Sequence, residues 1–153
     1  MSAFIARSAE ETRALGQRLS SALKAGDVVL LSGDMGAGKS ELARGIARGL
    51  GVTGAVPSPT FTILNTYKGG RLPLYHFDWY RIQDPDELYA IGAEEYIGTD
   101  GVTLIEWHAL APELLPTDAL EIALTPTDEQ TRVITLTARG AFILPDIKQG
   151  DCI

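Results

Sequence analysis

Gly33-Asp34-Met35-Gly36-Ala37-Gly38-Lys39-Ser40 fits the phosphate-loop pattern G-x-x-x-x-G-K-S/T, and no other stretch limits the fold as narrowly. The pattern has its meaning only between a strand and a helix. Ahead of it, Val28-Val29-Leu30-Leu31 is the continuous apolar run of a strand buried on both faces of a parallel sheet. Behind it, Leu42, Ala43, Ile46 and Leu50 recur at helical spacing. A strand feeding a glycine-rich turn into a helix aims successive backbone N–H groups and the positive helix end at one concavity, where an anionic phosphate chain would sit. Lys39 would then reach the β and γ phosphates as a point charge, and the Ser40 hydroxyl would be a ligand for Mg²⁺. The plain alternative is a glycine-rich turn without a ligand.

With 153 residues, 45% of them hydrophobic and 22% charged, one domain with a sizeable core is expected over residues 1–140, followed by a tail over 141–153. The formal net charge of −7 argues against broad electrostatic binding to DNA, RNA or an anionic membrane, so contact with tRNA or any nucleic acid would go through a partner. Cys152 is the only cysteine, which excludes an internal disulfide and is compatible with a reducing cytoplasm. No stretch approaches the length of a membrane span, and the N-terminus lacks the apolar segment of a signal peptide, so a cytoplasmic protein is expected.

Ser8-Ala9-Glu10-Glu11 has the capping-box form, and Leu15, Leu19, Ala22 and Leu23 continue it as an apolar face, predicting a helix from about Ser8 to about Ala25. The helix after the phosphate loop should stop near Gly49-Leu50-Gly51. Pro57-Ser58-Pro59-Thr60 is then a stiff connector. On spacing alone it is an ordinary rigid loop; its functional reading is a switch-like segment whose Ser58 or Thr60 hydroxyl senses the γ-phosphate or Mg²⁺. Gly69-Gly70 turns Phe61 to Tyr67 back onto Leu72 to Phe77 as a β-hairpin. Asp84-Pro85-Asp86-Glu87 starts a short helix carrying Leu88, Tyr89 and Ile91. Leu120 to Leu124 and Val133 to Thr137 read as two antiparallel strands closing the sheet, the second a partly solvated edge strand.

Two apolar strands end in acids. Asp78 follows Leu72 to Phe77, and Glu106 follows Val102-Thr103-Leu104-Ile105. Ligands of α/β sheets gather beyond the strand ends, where a carboxylate holds the Mg²⁺ shell or orients the attacking water. Taken singly, each acid is as readily a turn starter or a salt-bridged loop residue. His76 reads as a packed or hydrogen-bonded strand residue rather than a general base, Arg81 as a partner for Asp78 or phosphate or equally as half of a plain surface ion pair, and Trp107 as packing. His108 has no second His or Cys at zinc-ligand spacing.

The guanine-specifying Asn-Lys-x-Asp element of GTPases is missing, which favours ATP. The nine arginines are scattered without the cluster of a kinase lid, which lowers a small-molecule kinase without removing it. An ATP-sensing binding module stays open as well.

Taken in order, the phosphate loop, Pro57-Ser58-Pro59-Thr60-Phe61-Thr62, His76-Phe77-Asp78-Trp79-Tyr80-Arg81 and Ile105-Glu106-Trp107 resemble the bacterial TsaE (YjeE) family, the ATPase of tRNA threonylcarbamoyladenosine synthesis. The similarity runs from about Ser8 to about Thr137. It implies an α/β, P-loop NTPase-like three-layer fold with a mixed, mainly parallel central sheet and antiparallel additions. It also implies weak hydrolysis of Mg-ATP, association with TsaB and TsaD homologues, and only indirect contact with tRNA. By this likeness Asp78, Glu106 and Lys39 are the catalytic candidates, Ser40 and Glu106 the Mg²⁺ ligands, and Thr60 a switch residue. Glu11-Thr12 and Arg132 match segments near the nucleotide, alongside Gly33, Asp34, Met35, Gly36, Ala37, Gly38, Lys39, Ser40 and Glu41. Departures are Ser40 where threonine is usual, Glu41 where a second threonine is common, and His108-Ala109 in place of proline and an acid. Ser40 keeps the hydroxyl. Glu41 adds negative charge beside the phosphates, which is expected to weaken ATP binding.

Overall fold

A computed structural model of the chain describes residues 2–34, 36–53 and 63–147. Seven strands form one sheet: β1 (Ser2–Ala6), β2 (Val28–Ser32), β3 (Leu64–Tyr67), β4 (Leu74–Asp78), β5 (Val102–Glu106), β6 (Ala119–Pro126) and β7 (Arg132–Arg139). Their spatial order is β1-β7-β6-β2-β5-β4-β3. The centre is parallel, β2 lying between β5 and β6 with β4 beyond β5, while the β1–β7, β6–β7 and β3–β4 pairs are antiparallel. Among the described residues three α-helices accompany the sheet: α1 (Ala9–Ser20), α2 (Lys39–Gly49) and the short α3 (Asp86–Ala90).

Alternation along the strands separates two cores. Val29 and Leu31 join Leu74, Leu104, Leu120 and Ile122 on the face covered by α1 and α2. Val28 and Leu30 join Phe77 and Ile105 on the other face, under Trp79 and the Leu88 of α3. Phe142, Leu144 and Ile147, beyond β7, rest against the first core.

The helix ends follow the capping chemistry. Ser8 Oγ accepts the Glu11 N–H at 3.1 Å, and the Glu11 carboxylate reaches back to the Arg7 N–H. At the end of α2, Gly51 takes a left-handed φ of 93°, with the Gly51 N–H on the Arg48 carbonyl and the Val52 N–H on that of Ala47, closing a Schellman motif. Before α3, the Asp84 carboxylate accepts the Asp86 N–H and Glu87 reaches back to the Asp84 N–H.

The two long helices lie almost backbone to backbone because three glycines line their contact. A Cβ on Gly45 would stand 2.1 Å from the Arg13 carbonyl oxygen, one on Gly16 2.5 Å from that of Leu42, and one on Gly49 1.8 Å from Ser20 Oγ. Thr12 and Arg13 of α1 are thereby brought beside the first turn of α2.

Several expectations change. α1 stops at Ser20, and Ala22 and Leu23 follow in a tight turn, their N–H groups on the carbonyls of Leu19 and Ser20. β7 is not an edge: β1, which carries no signal beyond a short alternation of Phe4 and Ala6, pairs along it from Ser2↔Leu136 to Ala6↔Arg132. The hairpin forms as Leu64–Tyr67 on Leu74–Asp78, with Phe61 and Thr62 outside the described residues. In the short helix only Leu88 is buried; Tyr89 and Ile91 are exposed.

Candidate functional site

The phosphate loop leaves β2, the central strand, and enters α2 at Lys39. Gly38, the residue before α2, has φ 100°, a left-handed turn that a side chain would strain. Two strand ends converge beside it. In the β4–β5 register Asp78 stands opposite Glu106, and both carboxylates are buried, at 7% and 5% exposure.

Lys39 is buried too, and its charge is met from two directions. Its Nζ lies 3.7 Å from Glu106 Oε1 and 4.5 Å from the centre of the Trp107 ring. Trp107 reaches this position from a left-handed backbone, φ 59° and ψ 38°, which costs about 1 kcal/mol for a residue with a Cβ. Its ring also lies against Tyr80, ring centres 4.9 Å apart. The other Glu106 oxygen, Oε2, lies 2.8 Å from Nε2 of the buried His76. Asp78 Oδ1 accepts the Tyr80 N–H at 2.9 Å.

Among the described residues, two cavities lie beside the loop. One, about 270 Å³, is lined by Ser32, Gly33, Asp34, Lys39, Trp107 and His108, among others. His108 is half-buried there, and burial holds its pKa below the ordinary imidazole value, only partly offset by Glu121. The other cavity, about 330 Å³, lies between the start of α1 and the β6–β7 turn; Ser8, Thr12, Gly38, Glu41 and Arg132 are among the residues lining it. Arg132 straps the turn to the loop. Its Nε donates to the Ala37 carbonyl at 2.9 Å and its Nη2 to that of Gly36 at 3.2 Å.

The sequence-derived candidates therefore assemble at one end of the sheet. Lys39, Asp78 and Glu106 gather at the strand ends, Ser40 sits half-buried in the first turn of α2, and Thr12 and Arg132 line the larger cavity with Gly38 and Glu41. Glu11 does not join them, since its carboxylate caps α1. Met35, Ser58 and Thr60 lie outside the described residues. Three partners escape sequence reading: His76 on Glu106, and Arg13 with Arg44 on Glu41. The His76 contact follows from strand periodicity, which places residues 76 and 78 on one face, but Arg13 and Glu41 belong to different helices and leave no local signal.

A hydroxyl and two carboxylates are the hard oxygen donors that Mg²⁺ prefers. Among the described residues no three His, Cys, Asp or Glu side chains gather to hold a metal by themselves. The donor set fits Mg²⁺ in company with a nucleotide.

A glycine-rich loop between a central parallel strand and a helix, with acids at the ends of neighbouring strands, defines a P-loop NTPase-like fold. The family model described as "Threonylcarbamoyl adenosine biosynthesis protein TsaE" matches residues 6–134. The chain is 46% identical over 131 residues to the tRNA threonylcarbamoyladenosine biosynthesis protein TsaE of Bacillus subtilis (strain 168), covering 86% of this chain and 82% of that one. It is 38% identical to the protein of the same name from Rickettsia bellii, covering 87% and 92%. A crystal structure of Bacillus subtilis YdiB superposes with a TM-score of 0.77 at 40% identity, covering 91% of this chain and 86% of that one. The chain belongs to the TsaE family.

Proposed function

We propose that the chain is an Mg²⁺-dependent ATPase serving tRNA threonylcarbamoyladenosine synthesis, binding and slowly hydrolysing ATP to drive or reset a cytoplasmic TsaB–TsaD complex. The observation that carries this reading is the convergence of Lys39, Asp78 and Glu106 beside the loop. The family membership supports the pathway, and the arrangement of these side chains supports the chemistry.

In this reading the loop N–H groups take the phosphate chain, and the nucleoside occupies the cavity beside Thr12 and Arg132. Lys39 exchanges Glu106 for the β and γ phosphates. Ser40 and Glu106 would hold Mg²⁺, which when bound neutralises phosphate charge and polarises the γ-phosphoryl group. Asp78 and Glu106 face the same side of the sheet and orient the water whose oxygen bonds to the γ-phosphorus as the bond to the β–γ bridging oxygen breaks. Most of the work is positioning and charge stabilisation.

The test is Mg²⁺-dependent ATP hydrolysis with and without TsaB–TsaD. Hydrolysis should be slow alone, rise with the partners, and vanish in Lys39→Ala. Asp78→Asn and Glu106→Gln should each lower kcat by about a hundredfold or more while ATP affinity stays within a few-fold. Unchanged turnover in both variants would remove these assignments. The pairing of Lys39 with Glu106 and Trp107 favours a second reading, an ATP-sensing module whose bound form docks to its partners and whose hydrolysis is incidental. A variant that binds ATP, cannot hydrolyse it and still supports tRNA modification would select that reading.

A further inference from the structure

His76 is 1% exposed, and among the described residues only one of its ring nitrogens has a partner. Nε2 meets Glu106 Oε2 at 2.8 Å, and Nδ1 is buried without a hydrogen bond among the described residues. A side chain kept only for packing would be apolar, because an orphaned buried nitrogen is a net cost. A side chain kept only for a polar network would satisfy both nitrogens. What the ring retains is one directed bond to one carboxylate oxygen.

The bond divides Glu106 into two roles. Oε1 faces Lys39 at 3.7 Å and Oε2 is tied to His76. Once Lys39 turns to a phosphate chain, Oε1 loses that neighbour, and a carboxylate with free rotation would present either oxygen at a range of angles. With Oε2 held, rotation about the last bond is stopped and Oε1 keeps its direction toward the loop. An imidazole on β4 suits the task because strand and packing fix the ring, whereas a long amine would move with its target.

We infer that His76 is the positioning residue for Glu106, holding Oε2 so that Oε1 is the oxygen offered to the attacking water at the γ-phosphate end. This deepens the ATPase reading and rests on it. Three variants separate the bond from packing. His76→Leu keeps the bulk and removes the donor, His76→Asn keeps an amide too short to reach Glu106, and His76→Gln carries a donor to about the place of Nε2. His76→Leu and His76→Asn should lower kcat by about tenfold or more with nucleotide affinity in the absence of Mg²⁺ unchanged, and His76→Gln should restore most of the rate. A purely structural role would instead make all three track thermal stability, with Leu as the mildest change.

A readout independent of turnover accompanies them. Long-range ¹⁵N NMR of the nucleotide-free protein should find His76 as the Nε2–H tautomer. The Nδ1–H tautomer, or wild-type kcat in both His76→Leu and His76→Asn, would overturn the assignment and leave the ATPase reading standing. Wild-type protein that never hydrolyses ATP, with or without TsaB–TsaD, would overturn both.

Discussion

Glu41 illustrates how one residue's charge is decided by neighbours far away in sequence. It stands one position after Ser40, where a carboxylate would oppose incoming phosphates. Its oxygens are engaged instead by Arg13 from α1, at 2.6 Å, and by Arg44 one turn on. These side chains are between a quarter and two-fifths exposed, so each pair is a modest interaction of about 0.2–1 kcal/mol. Their value lies in cancelling a charge in the wall of the larger cavity. Replacing Arg13 by Met should therefore weaken nucleotide binding a few-fold at low salt, less at high salt, and Glu41→Gln should erase the effect in the double variant. Calorimetric titration of the four proteins decides it; additive losses would mean that Arg13 contributes in some other way. From sequence, Glu41 reads as a liability, because the i,i+3 spacing shows Arg44 but nothing along the chain shows Arg13. The catalytic candidates read well for the opposite reason: Lys39, Asp78 and Glu106 each carry a local marker, a loop motif or the end of an apolar strand.

At the level of elements, α1 and α2 cross almost backbone to backbone. Gly16, Gly45 and Gly49 are not there for turns; they remove the Cβ atoms that would hold the helices apart. Gly45→Ala would drive a methyl into the Arg13 carbonyl, and the helices would have to separate, at a cost of about 1–3 kcal/mol or more. The variant should melt earlier and also bind nucleotide more weakly, since Thr12 on α1 shares a cavity wall with Gly38 and Glu41. Lower thermal stability with unaltered nucleotide affinity would show that the crossing supports the fold alone. Neither this contact nor β1 announces itself in the sequence. A glycine inside a helix reads as a weak spot, and five residues with two buried side chains give too short an alternation to stand out. From sequence β7 looks like an edge for the same reason, since the strand that covers it lies at the other end of the chain.

Across the whole molecule, Arg132 joins the β6–β7 hairpin to the phosphate loop. Its two bonds to the carbonyls of Gly36 and Ala37 hold the turn of the phosphate loop from the outside. Arg132→Met should speed hydrogen exchange at Gly36 and Gly38 and weaken nucleotide binding, whereas an unchanged exchange rate would confine Arg132 to contact with the ligand. Strand order adds a constraint on biosynthesis. Val29 of β2 pairs with Leu104 on one side and Leu120 on the other, so a ribosome that has made the phosphate loop and both long helices has not yet made either neighbour of their central strand. Until β6 leaves the exit tunnel, the nascent chain carries a loop sequence with an unfinished sheet beneath it and two unpaired strand edges. A translation product that stops short of that point is therefore a client for chaperones, and not a rival for nucleotide.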